Sequence, residues 1–124
     1  MAITPIKTYD AQLNSYIFQL QHAEYGSESR TPLANALYRC YQLAINGIPS
    51  GEVITHINRI KNAVYGEEVR DALKMGLTLC YTIKGLQVSS SENSIFKYMT
   101  ECVYGKDLLY YMAIAIQRCA AETR

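Results

Sequence analysis

Two arginines at matched positions are the side chains in this sequence best suited to bind an anion. Arg30 and Arg70 each lie five residues after the tyrosine of a Tyr-Gly pair. A planar guanidinium recognises phosphate or carboxylate through paired hydrogen bonds, although a salt bridge to a local acid or a bond to a backbone carbonyl would occupy it equally well. An arginine beside a tyrosine face can also hold a nucleobase. The sequence therefore predicts a ligand-binding set made of Arg30, Arg39, Arg70, Tyr38, Tyr41 and Tyr81.

Residues suited to catalysis or metal binding are sparse. The chain has two histidines, His22 and His56, and no motif places either beside a nucleophile and an acid. The four cysteines lie far apart without a C-x-x-C pair, and they fall on apolar stripes, where burial raises the pKa of a thiol. The sequence has no glycine-rich phosphate loop. We predict no catalytic residue, no metal site and no cofactor, and a protein that is not an enzyme.

A Tyr-Gly pair recurs three times and organises the chain. The copies are Tyr25-Gly26, Tyr65-Gly66 and Tyr104-Gly105, about 40 residues apart. In every copy a cysteine follows the tyrosine by 15 positions. Such a pair either forms a tight turn between two helices or presents the amides of the following helix N-terminus to an anion. Both interpretations place a helix break at each copy.

Apolar residues spaced by three and four on both sides of each break predict helices. Thr8 or Asp10 can cap the first helix, which we expect to end at Tyr25-Gly26. The other predicted helices run from Thr31-Pro32 to Asn46-Gly47, from a Ser50 cap to Tyr65-Gly66, from Glu67 to Lys84, from a Ser90 or Ser91 cap to Tyr104-Gly105, and from about Asp107 to Ala121. No segment shows sustained strand alternation. The sequence thus predicts an all-α fold.

Three helix–break–helix repeats, spanning about 8–47, 50–85 and 91–121, make one predicted all-α domain of residues 1–124. One hairpin cannot bury its apolar face alone, whereas three stacked hairpins can. We therefore expect six helices in a compact bundle or a short solenoid. Small residues at a matched position, Ala36, Gly76 and Ala115, would let two helices approach closely. The last helix is apolar on every face, which indicates burial between the other hairpins or a subunit interface.

The composition excludes some classes of protein and favours others. A net charge of +1 lacks the basic footprint of a nucleic-acid-binding domain. The hydrophobic content of 49% lies at the upper end of the usual range and indicates an oligomer or a bound partner. No apolar run approaches the roughly 20 residues of a membrane span, and the first residues lack a signal-peptide pattern. We predict a cytoplasmic homo-oligomer without membrane contact.

The middle repeat resembles a helical segment of phage proteins. Residues 57–83 include A-V-Y-G-E-E-V-R-D-A-L-x-x-G-L-x-L-C-Y. This stretch is similar to the Y-G-x-x-V-R pattern of tail, baseplate and related structural proteins of phages that infect Gram-positive bacteria. The first copy matches in part, with Ser29 in place of Val, and the third matches weakly, with Leu109 in place of Arg. The resemblance implies a phage or prophage origin and brings no catalytic residue with it.

These observations lead us to expect a non-enzymatic phage-type binding protein. The first expected function is an anti-defence accessory protein that sequesters a small nucleotide-like signal in an oligomer, inside the host cytoplasm. Its tyrosine faces would stack on the base and its arginines would meet phosphate. One alternative, which the resemblance favours directly, is a virion structural component of the tail or baseplate. Another alternative is a protein–protein inhibitor of a host defence enzyme.

Overall fold

The computed structural model is built of α-helices and describes residues 6–23, 26–64, 66–102 and 105–124. The helices are α1 (Ala11–Gln21), α2 (Gly26–Ile45), α3 (Glu52–Asn62), α4 (Gly66–Ile83), α5 (Ser90–Glu101) and α6 (Lys106–Glu122). The described residues contain no strand, so the predicted all-α fold is confirmed. Within these ranges, no helix is both long enough and apolar enough to cross a membrane.

Three long helices, α2, α4 and α6, contact one another in the interior of the bundle. Each short helix packs against the long helix that follows it, and it also contacts a second long helix. Thus α3 contacts α2 as well as α4, α5 contacts α4 as well as α6, and α1 contacts α6 as well as α2. The contact between α1 and α6 joins the first helix to the last, which makes the fold a closed bundle and not an open solenoid. That the three hairpins are copies of one repeat stays a prediction.

The apolar stripes expected from the sequence form the core between these helices. Buried residues at matched positions of the three long helices include Leu33, Leu73 and Met112, then Leu37, Leu77 and Ile116. Three matched cysteines, Cys40, Cys80 and Cys119, are buried free thiols. Contact with the Cys119 thiol, together with burial, raises the pKa of the other two thiols. Because all three side chains are buried, they act as small core side chains.

The expected close approach between helices is found at Gly76 of α4. A Cβ atom at this position would lie 2.6 Å from Cδ2 of Leu37 and 2.9 Å from the hydroxyl of Tyr41. Both of these side chains belong to α2, so the missing side chain of Gly76 lets α2 and α4 pack together. The matched residues Ala36 and Ala115 are also fully buried.

Three predicted helix starts are wrong, those of α2, α3 and α5. The helix α2 begins at Gly26 and not at Thr31-Pro32, so that Pro32 lies inside it. A proline near the start of a helix removes one backbone hydrogen bond, and here the Pro32 ring is buried. The N-cap of α3 is Gly51 and not Ser50. Its φ of +61° lies in the left-handed region that glycine adopts without strain.

The caps of α1 and α5 come from polar side chains. Asp10, one of the two predicted caps of α1, accepts a hydrogen bond from the backbone N–H of Leu13 at 2.9 Å. The cap of α5 is Ser89, and neither Ser90 nor Ser91 as predicted; its hydroxyl accepts from the backbone N–H of Glu92 at 3.1 Å. Ser89 fits because its hydroxyl lies three residues before that N–H, which is the usual capping distance.

Candidate functional site

The tyrosines of the predicted binding set lie within or against the core. Tyr41 and Tyr81 are at most 1% exposed. Tyr38 is half-buried and packs against the core. A ring that is enclosed by its own fold presents no face to a nucleobase arriving from solvent. In the single chain, Tyr41 and Tyr81 therefore serve packing, and Tyr38 does so in part.

The predicted arginines bind at three separate places. Arg39 forms a two-pronged pair with Asp10, with both nitrogen–oxygen distances at 2.8 Å. Arg30 donates to the carbonyl of Val64 at 3.3 Å, and Arg70 donates to the carbonyl of Thr100 at 3.5 Å. These are the carbonyl bonds that the sequence left open as an alternative to anion binding. Each joins the first turns of a long helix to the end of the next short helix.

The tyrosines of the three breaks, Tyr25, Tyr65 and Tyr104, lie outside the described residues. Their glycines mark the starts of the long helices. Gly26 and Gly66 are the first residues of α2 and α4, and Gly105 caps α6 with a φ of +87°. The expectation that Gly26 ends the preceding helix is therefore corrected, because it begins the next one.

A groove of about 380 Å³ lies between the N-terminal segment and the last turns of α6. We call it the α6 groove, and its lining residues are Lys7, Thr8, Tyr9, Gln117, Arg118, Ala121, Glu122 and Arg124. The side-chain amide of Gln117 donates to the carbonyl of Lys7 at 2.9 Å, which holds the N-terminal segment against α6. The volume falls within the range of small-molecule binding sites.

Positive charge in the α6 groove is not neutralised by ion pairs. Lys7, Arg118 and Arg124 line it, and none of them is ion-paired with another residue of the described ranges. The Nε atom of Arg118 is buried and has no hydrogen-bond partner there. The guanidinium carbon of Arg124 lies 4.2 Å from the ring centre of Tyr9, whose side chain is half-exposed. The groove thus combines available cations with an aromatic face.

Behind the groove lies a buried carboxyl cluster, which we define as Tyr81, Ser89, Glu92 and Glu122. The Tyr81 hydroxyl lies 2.6 Å from Oε1 of Glu122 and 3.2 Å from Oε2 of Glu92. The Ser89 hydroxyl donates to the same Oε1 atom of Glu122 at 2.7 Å. Glu122 is therefore fixed from the inside by two hydroxyls while its side chain also lines the groove.

One carboxyl group of this cluster must carry a proton. Tyr81 has a single hydroxyl hydrogen and cannot donate to both glutamates. Burial raises the pKa of Glu92 to about 9. Glu92 is therefore neutral at pH 7, which leaves the single Tyr81 hydrogen for the shorter of the two contacts, the one to Glu122. The negative charge of the pair consequently rests on Glu122, at the wall of the groove.

Arg118 and Glu122 are four residues apart on α6, a spacing at which opposite charges commonly pair. The two side chains do not form an ion pair in the structure. The bonds from Tyr81 and Ser89 direct one carboxylate oxygen of Glu122 inward, which explains why Glu122 does not pair with Arg118. The groove therefore has a cationic side and a separate hydrogen-bond acceptor.

The residues that line the α6 groove were not predicted from the sequence. Lys7 and Tyr9 fall in a segment without a pattern, and Arg118 lies on a helix judged by its apolar residues alone. One available signal was the Ser89-x-x-Glu92 spacing of a capping box. It would have identified the α5 cap, although the Glu92 side chain bonds to Tyr81 and not to the backbone N–H of Ser89.

Comparisons with protein-family models, with curated proteins and with solved structures find no match for this chain. The resemblance of the middle repeat to phage structural proteins therefore stays a prediction. Among the described residues, no three His, Cys, Asp or Glu side chains are grouped in a way that could hold a metal ion.

Proposed function

We propose that this protein is a non-enzymatic binding protein that holds a small anionic, nucleotide-like ligand in the α6 groove. The observation that carries the proposal is the group of three cations without ion pairs, Lys7, Arg118 and Arg124, around one cavity. A phosphate placed among them would receive charge-assisted hydrogen bonds, which are about twice as strong as neutral ones.

Tyr9 supplies the surface for a base. Its ring is 42% exposed and is covered on one face by Arg124. A base that displaces Arg124 from the ring replaces one cation–aromatic contact with a stacking contact of similar size. Arg124 is then released to meet the phosphate. The groove can therefore bind both the base and the phosphate of a nucleotide.

The same residues favour binding over catalysis. Arginine stays protonated throughout the physiological range and cannot act as a general acid or base. The one carboxylate of the groove, Glu122, already accepts two hydrogen bonds on one oxygen. Neither a nucleophile nor a neighbouring base is aligned for attack among the lining residues.

The proposal keeps the ligand class expected from the sequence and moves the site. The roles expected of Arg30, Arg39 and Tyr41 pass to Arg118, Arg124 and Tyr9. Sequestration of a host-defence signal by a phage-type protein, with several copies in an oligomer, remains the biological role that we propose for this binding.

Isothermal titration calorimetry with adenosine 5′-monophosphate tests the proposal. We expect binding to the wild-type chain and an affinity about tenfold weaker for Arg118→Ala, because a hydrogen bond between two charged groups is lost. Arg59→Ala is the matched control, since Arg59 forms an exposed pair with Asp71 on another side of the bundle. No binding at millimolar concentration, or equal losses in both variants, would refute the proposal.

Protein binding is the second candidate function, and an exposed aromatic surface favours it. Tyr98 of α5 and Tyr110 of α6 are each about half-exposed, and Tyr111 packs against both at ring separations of 5.5 and 5.6 Å. Such a surface suits a virion contact, an inhibitor or a copy of the chain. Light scattering would detect self-association that Tyr110→Ser abolishes and Phe18→Ser, at an exposed aromatic of α1, leaves intact.

A further inference from the structure

We propose that Glu122 is the specificity-determining residue of the α6 groove and that it selects a nucleotide whose base carries an amino group. This inference rests on the proposed function and names the ligand class more closely. Glu122 offers an acceptor on one wall of the groove, while Lys7, Arg118 and Arg124 offer donors to an anion. A simple polyanion would satisfy the cations and be repelled by the carboxylate. A ligand with both a phosphate and an N–H donor satisfies both.

The orientation of the Glu122 carboxylate is fixed from behind. Its Oε1 atom accepts from Tyr81 at 2.6 Å and from Ser89 at 2.7 Å, which uses both lone pairs of that oxygen. Its Oε2 atom accepts no hydrogen bond from any other described residue. Because Oε1 is directed inward, Oε2 is the oxygen left to a donor in the groove.

The surrounding charges strengthen this acceptor. Glu92 stays neutral beneath Tyr81 because burial raises its pKa, so the cluster contributes one negative charge and places it on Glu122. Glu122 also belongs to the last turn of α6, where the helix dipole adds partial negative charge. An amino group is therefore favoured at this wall, and a phosphate is directed towards Arg118 on the preceding turn.

The substitution Glu122→Gln replaces the hydrogen-bond acceptor at the groove with a donor and keeps the bonds from Tyr81 and Ser89. Tyr81 and Ser89 are both donors towards position 122, so the amide oxygen of glutamine must take the place of Oε1. The amide nitrogen is then presented to the groove as a donor. The variant should therefore bind a ligand with an amino group less tightly, and it should bind a ligand without one equally or more tightly.

The test measures two matched ligands on two proteins by calorimetry. Adenosine 5′-monophosphate and purine riboside 5′-monophosphate share the ring system, ribose and phosphate and differ in the exocyclic amino group. We expect the wild-type chain to bind the adenosine compound about tenfold more tightly, as one hydrogen bond to a charged acceptor provides. We expect Glu122→Gln to bind the two within twofold of each other, through weaker binding of the adenosine compound and unchanged or tighter binding of the other.

The outcomes separate this inference from the proposed function. If both ligands bind the wild type equally, and Arg118→Ala weakens both, the groove binds anions and the role of Glu122 is refuted. If neither ligand binds, the proposed function fails, and the inference fails with it. Equal binding of the two ligands by the wild type refutes the inference even if Glu122→Gln does not fold, and a tenfold preference that persists in Glu122→Gln refutes the role of Glu122.

Discussion

Two buried tyrosines, Tyr41 and Tyr81, occupy matched positions and have opposite surroundings. Each directly follows a core cysteine of a long helix, and each is at most 1% exposed. The hydroxyl of Tyr81 has two partners, Glu92 and Glu122. The hydroxyl of Tyr41 has no hydrogen-bond partner among the described residues. Burial raises the pKa of both phenols.

The difference arises from the helices that each ring faces. Tyr41 points its hydroxyl towards Gly76, on the apolar face of α4. Tyr81 meets the first turn of α5 and the last turn of α6, where Ser89, Glu92 and Glu122 converge. One side of the bundle is therefore sealed and apolar, and the other connects the core to the α6 groove. We infer that the functional site lies on the side of Tyr81, whose hydroxyl has hydrogen-bond partners.

Among single substitutions, removing the Tyr81 hydroxyl should have the largest effect on this comparison. Tyr81→Phe deprives the Glu122 carboxylate of one donor and leaves buried Glu92 without its partner, which should destabilise the fold by about 3 kcal/mol. Urea denaturation at pH 7 measures the change. A loss below about 0.5 kcal/mol would show that the cluster does not stabilise the fold.

Raising the pH should reduce the stability of the region around Tyr81 and leave the region around Tyr41 unaffected. The pKa of Glu92 is raised from 4.5 to about 9, mainly by burial, so the folded state holds a proton that the unfolded chain releases. Stability that is complete below pH 4.5 is thus lost as the pH rises towards 9, by up to about 1.4 kcal/mol per pH unit. Glu92→Gln cannot ionise and should flatten this slope.

The control for the pH experiment is Glu101→Gln, which changes an exposed glutamate on the same helix. Urea midpoints at three pH values between 6 and 9 would compare the proteins. Equal slopes in the wild type and Glu92→Gln would contradict the assignment of the proton to Glu92.

Filling the contact beneath Tyr41 should have an intermediate effect. Gly76→Ala places a methyl group 2.6 Å from Leu37 Cδ2 and 2.9 Å from the Tyr41 hydroxyl. Overpacking costs about 1–3 kcal/mol, from which about 1 kcal/mol of gained helix propensity is subtracted. We expect a net loss of about 1 kcal/mol in thermal or urea unfolding. In a Tyr41→Phe background the loss should shrink, because one of the clashing atoms is absent.

The smallest expected effect is that of Tyr41→Phe alone. A buried hydroxyl without a partner pays its desolvation cost and gains no bond in return, so its removal should be neutral or stabilise the fold by up to about 1 kcal/mol. The same substitution at Tyr81 is destabilising, so the two variants form a matched pair. A clear loss of stability in Tyr41→Phe would indicate that its hydroxyl has a partner after all.

The helical architecture was predictable because apolar residues at helical spacing indicate the buried face of each helix. The spacing of Leu33, Leu37 and Cys40, and of their matches, identified the buried faces of the long helices. The start of α2 was missed because Thr31-Pro32 looks like a cap followed by a first helical residue. The alignment of Gly26 with Gly66 was the better guide, since both glycines begin their helices.

The site was not predictable in the same way, because it depends on contacts between distant segments. Tyr81 and Glu122 are 41 residues apart, and Lys7 and Gln117 are 110 apart. Nothing local in the sequence shows that these residues meet. Long-range contact also explains why Arg39 was wrongly expected to bind a ligand. Its partner Asp10 lies 29 residues away in the sequence, and their ion pair already occupies the guanidinium.

The most direct test of the account is an NMR titration of the ¹⁵N-labelled chain with adenosine 5′-monophosphate. Binding in the α6 groove predicts amide shifts at residues 7–9 and 117–124, accompanied by smaller shifts at Tyr81 and Ser89 through their bonds to Glu122. Shifts centred instead on Arg30, Tyr38 and Arg70, or no shifts at millimolar ligand, would contradict the claim that the groove is the binding site.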